Sequence, residues 1–415
     1  MKRCFGFLLC LLIIVLCAVA AADIVSSGKC GKKVSWTLDD QGVLTISGTG
    51  KMYFWDGEYE EGFGWDRSQV RKVVIREGVT VVGSAAFENC PHLESISIPA
   101  SVTKFGKSGN VHYSVTYGCS SLKAFNVASG NKKYCSKDGV LFSKNMKILY
   151  SCPQAKAGKY TVPANVKEIY GAADVTSGGL RAFDGCVRLT EIVLPEGVET
   201  MEGAAICGNT SLKCITLPAS LKRIGWGMFG NCSNLTDIYY TGTRAQWKKL
   251  QVDETVESWF FNAAVHFGNT EVLIKRNGLT YCIHLKQKSA AVAEPDNDFP
   301  NKVIIPSTVR YNGKKYKVTE IEANAFLNQG SLTSVTIGEN VNRIGNYAFS
   351  DCCKLKSVKV LTTKLQQSTI GSGCFKGVHR KVTFKVPQSL LKKYQVWFVI
   401  IGEAPEKSKF TESSR

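Results

Sequence analysis

The 415-residue sequence contains no Cys-x-x-Cys pair, and its five histidines are scattered, so the ligand spacing of a structural zinc site is missing. It also lacks Gly-x-Ser-x-Gly, His-Glu-x-x-His and a phosphate-binding P-loop, the commonest signatures of serine hydrolases, metalloproteases and nucleotide-dependent enzymes. The formal net charge is +18, yet no run of five basic residues and no arginine-rich tail occurs. The excess is spread over single lysines and pairs such as Lys132-Lys133 and Lys248-Lys249. That pattern describes a basic, solvated surface attracted to acidic partners and speaks against nucleic acid. Beyond the first twenty or so residues there is no long apolar run; "VWFVII" from Val396 is too short to span a bilayer. What is present is enough apolar material for a core, 44% hydrophobic and 10% aromatic residues, so global disorder is not expected.

The chain opens with "MKRCFGFLLCLLIIVLCAVAAAD". Lys2 and Arg3 precede an apolar run from Phe5 to Val19, and Ala20-Ala21-Ala22 supplies the small side chains that a signal peptidase requires. Residues 1–22 are therefore expected to be a signal peptide, the mature chain secreted or at the cell surface, without a transmembrane helix. The leader carries three of the sixteen cysteines. The thirteen left are an odd number that cannot all pair within one chain.

The strongest pattern is a repeat. "LKCITLPASLKRIGWGMFGNCSN" from Leu212 returns as "LTSVTIGENVNRIGNYAFSDCCK" from Leu332, and the same frame fits segments from Val70, Leu93, Leu189 and Leu355. Counting from the first residue, positions four and six (Ile215 and Leu217; Val335 and Ile337) point inward from a short strand. A proline at position seven (Pro99, Pro195, Pro218) ends the strand. Positions ten and thirteen return across the core. Position eighteen is a large plug: Phe87, Phe183, Phe229 and Phe349. Position twenty-one is Cys90, Cys186, Cys232 and Cys352, with Asn209 in one copy, set where the turn leaves backbone groups unpaired. A small buried thiol suits that niche, so these cysteines read as core thiols; pairing among Cys207, Cys352 and Cys353 stays open. One repeat cannot bury this apolar set alone, whereas a stack can.

The frame breaks at three places. Alternation around Asp39-Asp40-Gln41-Gly42 predicts an N-terminal hairpin cap over 23–69. The first array then spans 70–269, with a hairpin inserted from Lys132 (turns at Asp138-Gly139 and Lys144-Asn145) and a closing strand "AAVHFGN". An opening hairpin around Asn277-Gly278 and a loop cover 270–301, a second array covers 302–400, and a polar, disordered tail covers 401–415. The fold class is a leucine-rich-repeat solenoid, β-rich, in two consecutive arrays with hairpin caps.

The repeat, with "WTLDDQGVLTISGTGKM", "DGVLFSK" and "IYYTGTRAQW", resembles the BspA-like leucine-rich-repeat family of surface and secreted proteins over most of the mature chain. The resemblance implies adhesins and host- or cell-interaction proteins, no cofactor and no catalytic residues. Positions three and five of each strand are expected to face outward: Lys72, Val74, Ser95, Ser97, Glu191, Val193, Asp237 and Tyr239, then Ser334, Thr336, Ser357 and Lys359. With strands about 4.8 Å apart, roughly ten repeats give a binding strip of about 50 Å. The expected function is an exported, non-catalytic binding protein for an extracellular protein or glycan, acidic ones included. A secreted spacer module is the alternative. A hydrolase using Asp56, Glu58, Glu60, Glu61 and Asp66 is less favoured, as is a thiol nucleophile at Cys90 beside His92, which lacks an orienting third group. No metal site is expected.

Overall fold

The computed structural model describes residues 22–53, 63–106, 114–171, 180–201, 203–256, 260, 262–268, 270–293 and 300–413. The carboxylates Asp56, Glu58, Glu60 and Glu61 and residues 1–21 of the expected leader lie outside the described residues.

Over the described residues the chain winds into a β-solenoid of about 13 turns with little helix. The turn from Leu212 shows how the sequence builds it. Ile215 and Leu217 alternate inward from the strand Cys214–Leu217 and are fully buried. That strand pairs in parallel with Leu189–Val193 on one side and Asp237–Tyr240 on the other, with Ile192, Ile215 and Ile238 in one row. At Pro218 the strand stops, and the Leu221 amide donates back to the Pro218 carbonyl. A two-residue strand, Arg223–Ile224, then joins a second, narrower ladder with Thr200–Met201 and Gln251–Val252. Successive bends are stapled together. The Glu196 carboxylate accepts from the Ala219 and Ser220 amides and the Thr241 hydroxyl. Glu77 does the same for the Ala100 and Ser101 amides earlier in the same array.

Positions eighteen and twenty-one fill the far side. Phe87, Cys90, Phe183, Cys186, Asn209, Phe229, Cys232, Phe349 and Cys352 all have 0% exposure. In three copies the position-twenty-one group donates to the position-eighteen carbonyl of the preceding turn: Cys232 to Ile206 at 3.1 Å, Cys352 to Phe326 at 3.0 Å, and the Asn209 amide to Phe183 at 2.8 Å. These are the backbone acceptors that the turn leaves over. Cys119, which the repeat frame missed, donates to Phe87 in the same way at 2.9 Å. All thirteen cysteines after the leader are free thiols in this structure.

Ile24–Gly31, Val34–Asp39 and Val43–Gly48 form an antiparallel meander whose last strand pairs in parallel with Lys72–Ile75. Trp65 packs behind it, stacked on Phe63 and edge-on to Trp36. The inserted hairpin (Tyr134–Lys137, Val140–Ser143, Ile148–Ser151) seals two cores from each other. Leu141 belongs to the core before it, Val140 and Phe142 to the core after it.

Two expectations are corrected. The strand Ala264–Phe267 does not close an array: it pairs with Asp237–Tyr240 on one side and antiparallel with Glu271–Arg276 on the other. An open edge there would leave a row of unpaired amides. The sheet instead runs on through Leu279–His284 and Ser289–Ala293 to Lys314–Ile321. The second correction concerns the tail, expected to be disordered. Lys409–Glu412 is a strand paired in parallel with Thr383–Val386, and Phe410 stacks on Phe384 at 4.9 Å. One apolar ring in a polar tail is enough to occupy the last open edge. Beneath it the helix Leu391–Ile400 buries Tyr394 and Phe398, so of "VWFVII" only Phe398 enters the core, while Val396 and Ile400 stay exposed. No helix among the described residues is long and apolar enough to cross a membrane.

Candidate functional site

The outward strand positions fall into three separate faces rather than one strip. Parallel register sets neighbours side by side, so each face carries two rows. The N-terminal face has Val43, Lys72, Ser95 and Ala124 in one row and Thr45, Val74, Ser97 and Asn126 in the other. The central face has Lys159, Glu191, Cys214, Asp237 and Ala264 beside Thr161, Val193, Thr216, Tyr239 and His266. The C-terminal face has Lys302, Ser334, Ser357, Thr383 and Lys409 beside Ile304, Thr336, Lys359, Lys385 and Thr411. The inserted hairpin parts the first from the second, its Gly139 carbonyl accepting from Phe125. The bridging hairpin parts the second from the third. A single strip of about 50 Å therefore does not form. The structure joins Lys72 with Ser95 and Val74 with Ser97, and it brings Glu191, Val193, Asp237 and Tyr239 together on the next face.

The central face is the most differentiated. Lys159 and Glu191 pair at 2.8 Å. At its far end the Asp237 carboxylate meets His266 Nε2 at 2.7 Å, and the Tyr239 ring, 43% exposed, stacks on the imidazole with centroids 4.4 Å apart. Asp237 thus fixes the ring that supports Tyr239. Desolvation, then the neighbouring Asp237 carboxylate, pushes the Tyr239 phenol above its ordinary value. Tyr311 comes from the chain 72 residues after Tyr239, on the strand Thr308–Tyr311, and faces the same imidazole. A pocket of about 450 Å³ opens here, lined among others by Asp237, Asn262, Arg276, Tyr311 and Asn312. Two Asn-Gly turns shape its surroundings: Asn277-Gly278 and Asn312-Gly313 have positive φ at both residues (51° and 75°; 44° and 73°), the two-residue hairpin geometry that Asn-Gly favours. A second hollow of about 590 Å³ lies at the other end of the face, with Tyr160, Thr161, Val193 and Glu196 on its wall.

Of the catalytic candidates in the sequence, Cys90 and Asp66 are engaged elsewhere. Cys90 is fully buried while His92 is exposed, so the two do not meet. Asp66 is occupied in capping: its carboxylate accepts from the Ser68 amide and hydroxyl and from Gln69, and these bonds hold it below the usual carboxylate range. Glu271, Cys282 and His284 bring metal-ligand atoms within 4.8 Å of one another. Burial pushes the Cys282 thiol up to about 12, while the Arg244 guanidinium, clamped on Glu322 at 2.7 Å, works in the opposite direction. The sequence expectation had passed over this trio because its spacing matches no ligand motif.

Six copies of one family profile, described as the BspA type leucine rich repeat region, match residues 63–145, 159–250 and 305–399. The chain belongs to this family. Among solved structures it is similar to a leucine-rich repeat protein from Eubacterium ventriosum (21% identity, 85% of this chain and 95% of that one, TM-score 0.30). It is similar also to the pneumococcal vaccine antigen PcpA (15%, 94% and 100%, 0.33) and to a leucine rich cell surface protein from Faecalibacterium prausnitzii (18%, 94% and 96%, 0.28). No curated protein matches the chain. The BspA-type match skips 146–158 and 251–304, so it omits the bridging hairpin that contributes to the central pocket.

Proposed function

We propose that this BspA-type chain is an exported, non-catalytic binding protein, of the adhesin kind, that holds an extracellular protein or glycan segment on its central strand face. The observation that carries this reading is the end of that face. An exposed Tyr239 is held by an Asp237-fixed His266 beside an open pocket of about 450 Å³. Rigid, half-exposed aromatics next to a cavity are the side chains that contribute most to recognition. The family membership and the leader-like N-terminus supply the cellular setting.

The test is binding of the full chain to a panel of extracellular-matrix proteins and neutral glycans at physiological salt. Saturable binding that Tyr239→Ala weakens about tenfold or more supports the reading. Binding that ignores Tyr239 and Asp237 substitutions and disappears with salt reflects net charge alone, and the spacer alternative then takes its place. Turnover of any panel glycan would overturn the non-catalytic part.

A further inference from the structure

The ten outward positions of the C-terminal face consist of four lysines (Lys302, Lys359, Lys385, Lys409), five Ser or Thr residues and Ile304. No carboxylate is among them. Lys359 and Lys385 are direct neighbours in parallel register, about 4.8 Å apart along the sheet, and Lys409 lies on the next strand, one row over. Like charges placed directly opposite each other destabilise a sheet. The molecule tolerates this arrangement, whereas on the central face Lys159 is paired with Glu191. More lysines and arginines stand around the face. Lys356 immediately precedes one of its strands, Lys381 stands two residues before another, and Lys354, Arg380 and Lys407 are exposed nearby. Two carboxylates flank the last strand, Glu406 before it and Glu412 in its final position. Between residues 300 and 413 there are 18 Lys and Arg against 7 Asp and Glu, a surplus of 11 out of the chain's +18.

We infer that this face is a subsite for a linear, sulfated glycan. The inference rests on the binding-protein reading above and gives that reading a second ligand class at a second place. Lysine ammonium groups act as point charges for sulfate, and the interleaved hydroxyls of Ser334, Thr336, Ser357, Thr383 and Thr411 offer hydrogen bonds to sulfate and sugar oxygens. The row runs across the strands, so a linear polyanion lies along the solenoid axis and meets a new lysine or hydroxyl every strand. Single-stranded nucleic acid is the other polyanion of this shape. It binds through aromatic platforms on which bases stack, and none of the ten positions is aromatic.

The experiment uses the full chain and a heparin oligosaccharide as probe, with its desulfated, N-acetylated counterpart and a single-stranded DNA oligonucleotide as comparison arms. The triple variant Lys359→Ala, Lys385→Ala, Lys409→Ala is compared with a control of equal charge, Lys132→Ala, Lys133→Ala, Lys147→Ala, all exposed. Expected for the first variant is a roughly tenfold or greater loss of heparin affinity and a drop of about three in the log–log salt slope. The control keeps affinity within about threefold, and the desulfated probe binds neither. Both variants keep the wild-type circular dichroism and melting profile. Equal losses in the two variants, or none in the first, would overturn the inference, as would tighter binding of DNA than of heparin. Because Tyr239→Ala leaves this subsite intact, loss of the lysine effect and loss of the central-face effect are read separately.

Discussion

The central and C-terminal segments of this solenoid are built by the same repeat and finish their surfaces in opposite ways. On the central face each charge is answered: Lys159 by Glu191, Asp237 by His266. On the C-terminal face four lysines stand without a carboxylate between them. The interiors differ too. In the C-terminal segment Phe326, Phe349 and Phe375 stack in register, 4.9 and 5.5 Å apart and within 5° of parallel. In the central segment that ladder is interrupted, because Ile206 stands between Phe183 and Phe229, with Asn209 below it in place of cysteine. A repeat therefore prescribes which positions are buried, while each copy stays free in what it shows to solvent and in how it meets the buried requirement.

The interior difference carries the largest expected effects. Phe349→Ala removes the middle ring of a continuous stack and should cost about 3–5 kcal/mol, read as a fall in urea midpoint. Ile206→Ala removes a smaller side chain from a ladder already broken and should cost less. Equal losses would show that stacking in register adds nothing beyond burial.

Next in size is Asn209. Its amide donates to the Phe183 and Ile206 carbonyls at 2.8 and 2.6 Å; Asn209→Ala removes both bonds, leaving the Ile206 carbonyl to the weaker Cys232 thiol, and should cost about 1–3 kcal/mol. Cys232→Ala removes one weaker thiol donor to Ile206 and should cost about 1 kcal/mol or less. The pair measured by the same denaturation experiment sharpens the comparison. A cysteine loss as large as the asparagine loss would mean that the thiol fills space more than it donates.

Much of this was legible from spacing alone. Period-two alternation located the four-residue strands, Asn-Gly and Asp-Gly located the hairpin turns, and the inward positions eighteen and twenty-one follow from recurrence. What spacing did not carry is contact between unlike segments. Asp237 and Tyr311 meet because the sheet continues through a hairpin outside the repeat. The lysine row was half visible, at Ser357 and Lys359; Lys385 and Lys409 lie on strands whose repeats are too stretched to recognise. Cys119 was missed although Cys119-x-x-Leu122 has the spacing of Cys90-x-x-Leu93, because Thr116 stands where phenylalanine does. The tail was misjudged because polarity outweighed one phenylalanine in a short stretch.

The surface difference gives smaller effects. Lys385→Glu places opposite charges across from each other at Lys359 and should stabilise the chain by about 0.2–1 kcal/mol while weakening heparin binding. Glu191→Lys creates the reverse situation beside Lys159 and should destabilise by a similar amount. A neutral result for Lys385→Glu would mean that the lysines already spread apart enough to avoid repulsion, and the argument for a functional reason to keep them adjacent would weaken.

The smallest effect separates the segments by pH. The Glu196 carboxylate is held below its ordinary range, first by the Thr241 hydroxyl and then by the Ala219 and Ser220 amides. A carboxylate depressed in the folded state contributes stability that is fully present above its unfolded value of about 4.3 and is lost as pH falls through the lower folded value. Glu196 is exposed, so solvent screening keeps the contribution slight. At the corresponding bend of the C-terminal segment the clamp is neutral: the Thr362 hydroxyl donates to the Val341 carbonyl, and the Asn340 amide donates to the Ser307 carbonyl. Melting temperature followed from about pH 6 to about pH 2.5 should therefore fall less in Glu196→Gln than in the native chain, with the variant already lower at the upper end. Parallel acid limbs would show that the carboxylate staple adds nothing the neutral one lacks, and the two segments would then differ only in their rings and their lysines.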